Sequence, residues 1–200
     1  MVAEGVAVRK FAVAGLYGSF QGYDGWGTHP CPCGYYNHPE RECTCNAHAV
    51  QRYLNKVSGP LLDRIDLHVE VTPVNYEDLS SEVPQEGSEA IRQRVLRARR
   101  IQWRRFEQMR KSETGETAHV LHANTEMGSK ELRKYCRLDQ GSADMIRKAM
   151  NTLGLSARAY DKILKVGRTI ADLDGVQQIE ARHIAEAIQY RSLDKGNWGR

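Results

Sequence analysis

The chain has 200 residues, 40% hydrophobic and 27% charged, with a net charge of +4. That is the make-up of a globular protein of one or two small domains. It holds no apolar run of membrane-spanning length, so a transmembrane helix is excluded. The first residues lack a basic n-region and an apolar h-region, so no signal peptide is expected, and the expected compartment is the cytoplasm.

Residues 1–28 carry Gly5, Gly15, Gly18, Gly22, Gly25 and Gly27 among scattered Tyr and Trp, with no sustained period. They read as irregular. Four of the five cysteines follow, Cys31 and Cys33, then Cys43 and Cys45, two C-x-C pairs separated by nine residues. In a reducing compartment such a cluster more often holds a metal than disulfides. Four thiolates suit tetrahedral zinc. Pro30, Pro32, Gly34 and Pro39 mark the segment as a loop, as a metal clip requires. The alternative is a loop of free thiols. His38 and His48 could substitute as ligands or could simply be solvated.

A helix is predicted over 47–57. The stretch Gly59-Pro-Leu-Leu-Asp-Arg-Ile-Asp-Leu-His-Val-Glu-Val71 comes next. Ile65, Leu67, Val69 and Val71 alternate with Asp66, His68 and Glu70, which predicts a buried strand over 65–71. Arg64 stands at its entrance between Asp63 and Asp66. An Arg held there can reach a neighbouring subunit's phosphate. The competing reading is a surface Arg–Asp pair, worth ~0–1 kcal/mol. Residues 80–87, with Pro84 and acidic residues, read as a linker or turn.

Residues 88–200 are predicted to be all-helical. A long helix starts near Ser88, with Glu89 favourable to its first-turn dipole. Ile91, Val95, Ala98, Phe106 and Met109 define an apolar face, interrupted by Gln102. Between Arg92 and Lys111 lie eight Arg and one Lys against one Glu. Such clustered Arg is a phosphate footprint, or else a solvated or intersubunit face. Trp103 and Phe106 alone do not support base stacking. A polar loop over 111–127 precedes a short helix from Ser129 through Cys136, a lone cysteine expected in the core. Met145, Ile146, Ala149 and Leu153 define another helix, closed by Gly154. Ser156 caps a fourth, with Ala159, Ile163, Val166, Ile170 and Leu173 buried and Gly175 ending it. The last spans 180–190 and buries Ile184 and Ile188.

From His29 onward the chain resembles the C-terminal half of the magnesium-chelatase-like AAA+ ATPases of the ComM/YifB type. The resemblance rests on Pro30-Cys-Pro-Cys-Gly34, on Ser58 to Val71, on Glu131-Leu-Arg-Lys-Tyr-Cys-Arg-Leu138, on Gly154 to Val166 and on Arg168-Thr-Ile-Ala-Asp-Leu173. It implies an α+β fragment: the C-terminal part of an AAA+ α/β nucleotide-binding domain over 29–87, then an all-α lid over 88–200. Residues 1–28 lie outside the family pattern, as a frameshifted, truncated or fused start would. The resemblance places Arg64 at the arginine finger and Arg158 at the sensor-2 arginine, while Arg168 reads as structural. It implies ATP and magnesium in the complete protein, a homo-oligomeric ring, hexameric in this family, and DNA branch migration during competence.

The departures matter as much. No G-x-x-x-x-G-K-[ST] occurs, and no hydrophobic strand ends in paired acids, so Walker A and Walker B are both missing. Sensor 1, an Asn in the family, is His29 here. The chain alone is therefore expected to be inactive as an ATPase. The alternative function is a zinc-clipped, Arg-rich nucleic-acid-binding module. Magnesium insertion into a porphyrin is a weaker reading, since nothing in the sequence binds a tetrapyrrole.

Overall fold

A computed structural model describes residues 29, 31–36, 38, 41–56, 58–69, 76, 80, 86–112 and 121–191. The chain divides into one unit ending at Val57 and a second running from Ser58 to Trp198.

In the first unit, Cys31-Pro32-Cys33-Gly34 makes a tight turn closed by a Gly34 N–H to Cys31 carbonyl bond of 3.1 Å. Gly34 has φ 82°, a left-handed conformation that a Cβ would strain. Helix α1 spans Ala47–Leu54 and is capped by Asn46, whose side chain accepts from the Ala49 N–H at 2.8 Å. Val50 and Leu54, four residues apart, are buried. The helix stops earlier than the predicted 57, at the C-cap Asn55.

In the second unit, α2 is a single turn, Gly59–Leu62. Helix α3 runs Ser88–Ser112. A 3-10 turn at Asn124–Glu126 leads to α4 (Ser129–Tyr135), α5 (Gln140–Leu153), α6 (Ala157–Leu173) and α7 (Ala181–Gln189). The predicted caps Ser156 and Gly154 are present: Ser156 accepts from Ala159 N–H, and Gly154 ends α5 at φ 61°. The N-cap of α5 is Asp139, which accepts from Ser142 N–H and was not foreseen. Helix α6 is the hub, packing against α3, α4, α7 and the 3-10 turn. A Cβ built on Gly167 would lie 2.9 Å from the Ile184 methyl, so the missing side chain lets α6 approach α7 closely.

Ile146, Ile163 and Ile184 are at most 1% exposed, and Cys136 is buried with them as expected. Burial pushes the Cys136 thiol up to about 11. Ile163→Ala is expected to cost about 2–5 kcal/mol, read from chemical denaturation, because the truncated side chain leaves a cavity in the core that the surroundings only partly fill. A cost near zero would show that this face of α6 is not the core.

One buried polar cluster ties α3 to α6. Asp172, with no exposed side-chain surface, accepts from Arg105 at 2.5 and 2.8 Å, from Arg168 at 3.1 Å and from Asn124 at 2.9 Å. Arg168 also donates to the carbonyls of Val176 and Gln177, each at 2.7 Å, closing the turn after α6. Burial lowers the Arg168 pKa, and Asp172 opposes the shift. Arg168 is thus structural, as the sequence suggested.

Two expectations are corrected. Among the described residues, 65–69 form no strand. Leu67 and Val69 are 44% and 64% exposed, whereas His68 is buried. A strand needs a neighbour to satisfy its backbone, and the described residues offer no strand to 65–69; positions 70 and 71 lie outside them. On α3, Ala98 and Phe106 are buried but Ile91 and Val95 are exposed, while Gln102, read as an interruption, is 4% exposed. The side chain of Met109 lies outside the described residues, as do residues 1–28.

Candidate metal and phosphate-contacting sites

The first unit brings Cys31, Cys33, Cys43 and Cys45 together, with all four sulfurs within 4.8 Å of one another. Cys31 to Cys33 is 3.3 Å, Cys33 to Cys43 is 3.5 Å and Cys31 to Cys43 is 3.7 Å. A zinc tetrahedron with Zn–S bonds of about 2.3 Å has sulfur–sulfur edges of about 3.8 Å. The thiol cage fits that ion, and no pair is bonded as a disulfide.

The loop between the pairs is fastened without using its histidine as a ligand. Arg41 donates to the Tyr35 hydroxyl at 2.7 Å and lies over its ring, and the Arg41 N–H donates to His38 Nδ1 at 3.1 Å. His48 shares a hydrogen bond with Arg52. Neither histidine joins the cluster. The thiols are unequal. A hydrogen bond from the Tyr35 backbone leads in pulling Cys33 down to about 6. The Cys45 backbone lowers Cys43, but desolvation and the neighbouring thiols outweigh it and push Cys43 up to about 12. Crowded thiols resist sharing negative charge, and a cation in the cage removes that conflict.

In the second unit, Arg64 follows α2 on a short irregular segment and is exposed. Its two acidic neighbours are engaged elsewhere. Ser156 Oγ donates to Asp63 at 3.4 Å, and Asp66 pairs with Lys162 at 2.7 Å. The Arg64 guanidinium therefore has no partner among the described residues. The Arg–Asp surface pair considered for it does not form.

Arg158 is the second residue of α6, exposed and likewise unpartnered among the described residues. The α6 N-terminus bears on both arginines: its cap, Ser156, contacts Asp63, and Lys162 donates to the Arg64 carbonyl at 2.5 Å. Sequence reasoning passed over Lys162. The available signal was its place one helical turn after Arg158, on the same face.

The arginines of α3 do not act alike. Arg105 is half-buried and paired with Asp172, Arg94 pairs with Glu86 at 2.7 Å, Arg92 lies 3.6 Å from Glu89, and Arg99 donates to Gln102. Arg97, Arg100 and Arg104 are exposed and unpartnered among the described residues. Their spacing, i, i+3 and i+7, puts them on one face, away from Ala98 and Gln102.

The family model described as magnesium chelatase, subunit ChlI C-terminal, matches residues 85–191, more than half of the chain. The chain belongs to the magnesium chelatase ChlI family. A second ChlI model, described as magnesium chelatase, subunit ChlI, matches residues 26–79, a span that includes the four clustered cysteines and Arg64. Arg158, Lys162 and the Asp172 cluster fall within the ChlI C-terminal match. Among curated proteins, the chain is 39% identical to competence protein ComM of Haemophilus influenzae over 165 residues, 82% of this chain and 29% of ComM. It is 36% identical to the uncharacterized protein YifB of Escherichia coli over 168 residues, 83% of this chain and 30% of YifB. The matched stretch thus spans under a third of the length of these relatives. No helix among the described residues is long and apolar enough to cross a membrane.

Proposed function

We propose that this chain is the C-terminal stretch of a ring-forming AAA+ ATPase, in which it supplies arginines to ATP held by a neighbouring subunit. The observation that carries this reading is Arg64, exposed and without a partner among the described residues, while Asp63 and Asp66 are taken by Ser156 and Lys162. A guanidinium kept free of nearby carboxylates is available for a planar fork of hydrogen bonds to phosphate oxygens. Arg64 acts as the finger on the γ-phosphate. Arg158, at the start of α6, is the second phosphate contact. The phosphate loop, the magnesium ligands and the strands of the α/β core come from the rest of the polypeptide. In the whole ATPase the ring is hexameric, and it drives DNA branch migration in the cytoplasm. The four thiolates of Cys31, Cys33, Cys43 and Cys45 hold one structural zinc, which shapes the loop before α1.

The test is a chimera in which residues 29–200 replace the matched stretch of ComM, assayed for ATP hydrolysis with and without Arg64→Ala. Full turnover without Arg64 would remove the reading.

A second reading, a nucleic-acid-binding module without ATPase activity, is favoured by Arg97, Arg100 and Arg104. If these three bind duplex phosphates, the isolated chain binds DNA with a log-affinity against log-salt slope of about −0.9 per phosphate. Replacing all three by Gln then reduces that slope by about 3. An unchanged slope, or no binding at low salt, leaves them a solvated face.

A further inference from the structure

We propose that Lys162 is a positioning residue for Arg64, setting where its guanidinium meets the phosphate; this rests on the reading of Arg64 given above. The segment 63–68 is held at nearly every residue, yet, among the described residues, never through the Arg64 side chain. Ser156 Oγ reaches Asp63 at 3.4 Å. Lys162 Nζ donates to the Arg64 carbonyl at 2.5 Å and pairs with Asp66 at 2.7 Å. Arg191, buried at 1% exposure, donates to the next carbonyl, that of Ile65. The His68 N–H donates to the Tyr190 carbonyl at 2.8 Å. Helix α6 and the residues after α7 thus grip two consecutive carbonyls.

The Lys162 side chain is 15% exposed, whereas that of Asp66 is 62% exposed. An ion pair with one arm so far in water contributes little to stability. What the contact does is geometric. It fixes the backbone of the residue whose side chain must reach an anion, and it refers that backbone to the helix bearing Arg158 one turn away. Both guanidiniums then move with a single rigid element. Phosphoryl transfer is almost entirely positioning and charge stabilisation, and a misplacement of about 1 Å can cost about 10²-fold in rate.

The experiment uses the ComM chimera. Lys162→Met, which keeps the stem and removes the ammonium, is expected to lower kcat by about 10²-fold. KM for ATP and ring assembly should stay unchanged, because the contact it positions is made in the transition state. Lys162→Arg should restore most of the rate. In the Arg64→Ala background, Lys162→Met should have no further effect, since nothing is left to position. A residue that merely holds the fold together would lose the same factor in both backgrounds. Wild-type kcat in Lys162→Met, or a loss that adds in full to that of Arg64→Ala, overturns the proposal and leaves the finger standing. A fully active Arg64→Ala removes both. Should Lys162→Met fail to assemble, Asp66→Asn releases Nζ from one side at constant volume. It must then show a smaller loss of the same non-additive kind.

Discussion

In the complete ring ATPase proposed above, rings made only of Arg64→Ala subunits are expected to hydrolyse ATP slower by a factor of about 10³ or more, with nucleotide binding and assembly intact. The reason is chemical. A finger meets charge that develops on the transferring phosphoryl group, so its loss falls on kcat rather than on binding. Arg64→Lys should recover only part of the rate, because an ammonium cannot present the planar fork. Mixing separates a finger from a structural residue. An Arg64→Ala subunit keeps its own nucleotide site, and a subunit with a broken phosphate loop keeps its Arg64. In mixed rings some interfaces join the intact site of the first to the intact Arg64 of the second, and activity returns there. Demonstrably mixed rings that stay dead would assign Arg64 a role within its own subunit.

The second large effect concerns the thiol cage. Protein purified without a histidine tag is expected to carry about one zinc per chain, and a strong chelator or Cys43→Ser should disorder the loop between the C-x-C pairs. Structural zinc contributes folding free energy directly, about 10–16 kcal/mol in small zinc peptides. Around this loop the described buried apolar side chains are few, chiefly Val50 and Leu54 of α1, so they cannot replace that term. Thiol titration gives the readout. Before chelation the clustered cysteines should be protected, and after it four should react, with Cys136 slow because it is buried. A metal-free protein that keeps the loop ordered and offers four reactive thiols from the start would refute the zinc assignment.

Much of the helical part was legible in the residues alone. Ser156, Gly154 and the Ile163 and Ile170 stripe marked α6 and its neighbours, because caps and a 3.6-residue period are local signals that do not depend on the rest of the fold. The four cysteines marked themselves as a candidate metal site for the same reason, since spacing and ligand chemistry are written in the chain, and the fold brings their sulfurs within 4.8 Å of one another. Three matters were decided by tertiary structure. Alternation over 65–71 states a preference for a strand, but a strand exists only with a partner to bond, and none lies beside 65–69 among the described residues. The arginines of α3 look alike in sequence, yet packing draws Arg105 onto Asp172 and leaves Arg97, Arg100 and Arg104 exposed. Arg64 could equally have paired with Asp63 or Asp66. Ser156 and Lys162, about a hundred residues later, take those carboxylates instead, and contacts at such separation depend on how helices pack, which no local pattern specifies.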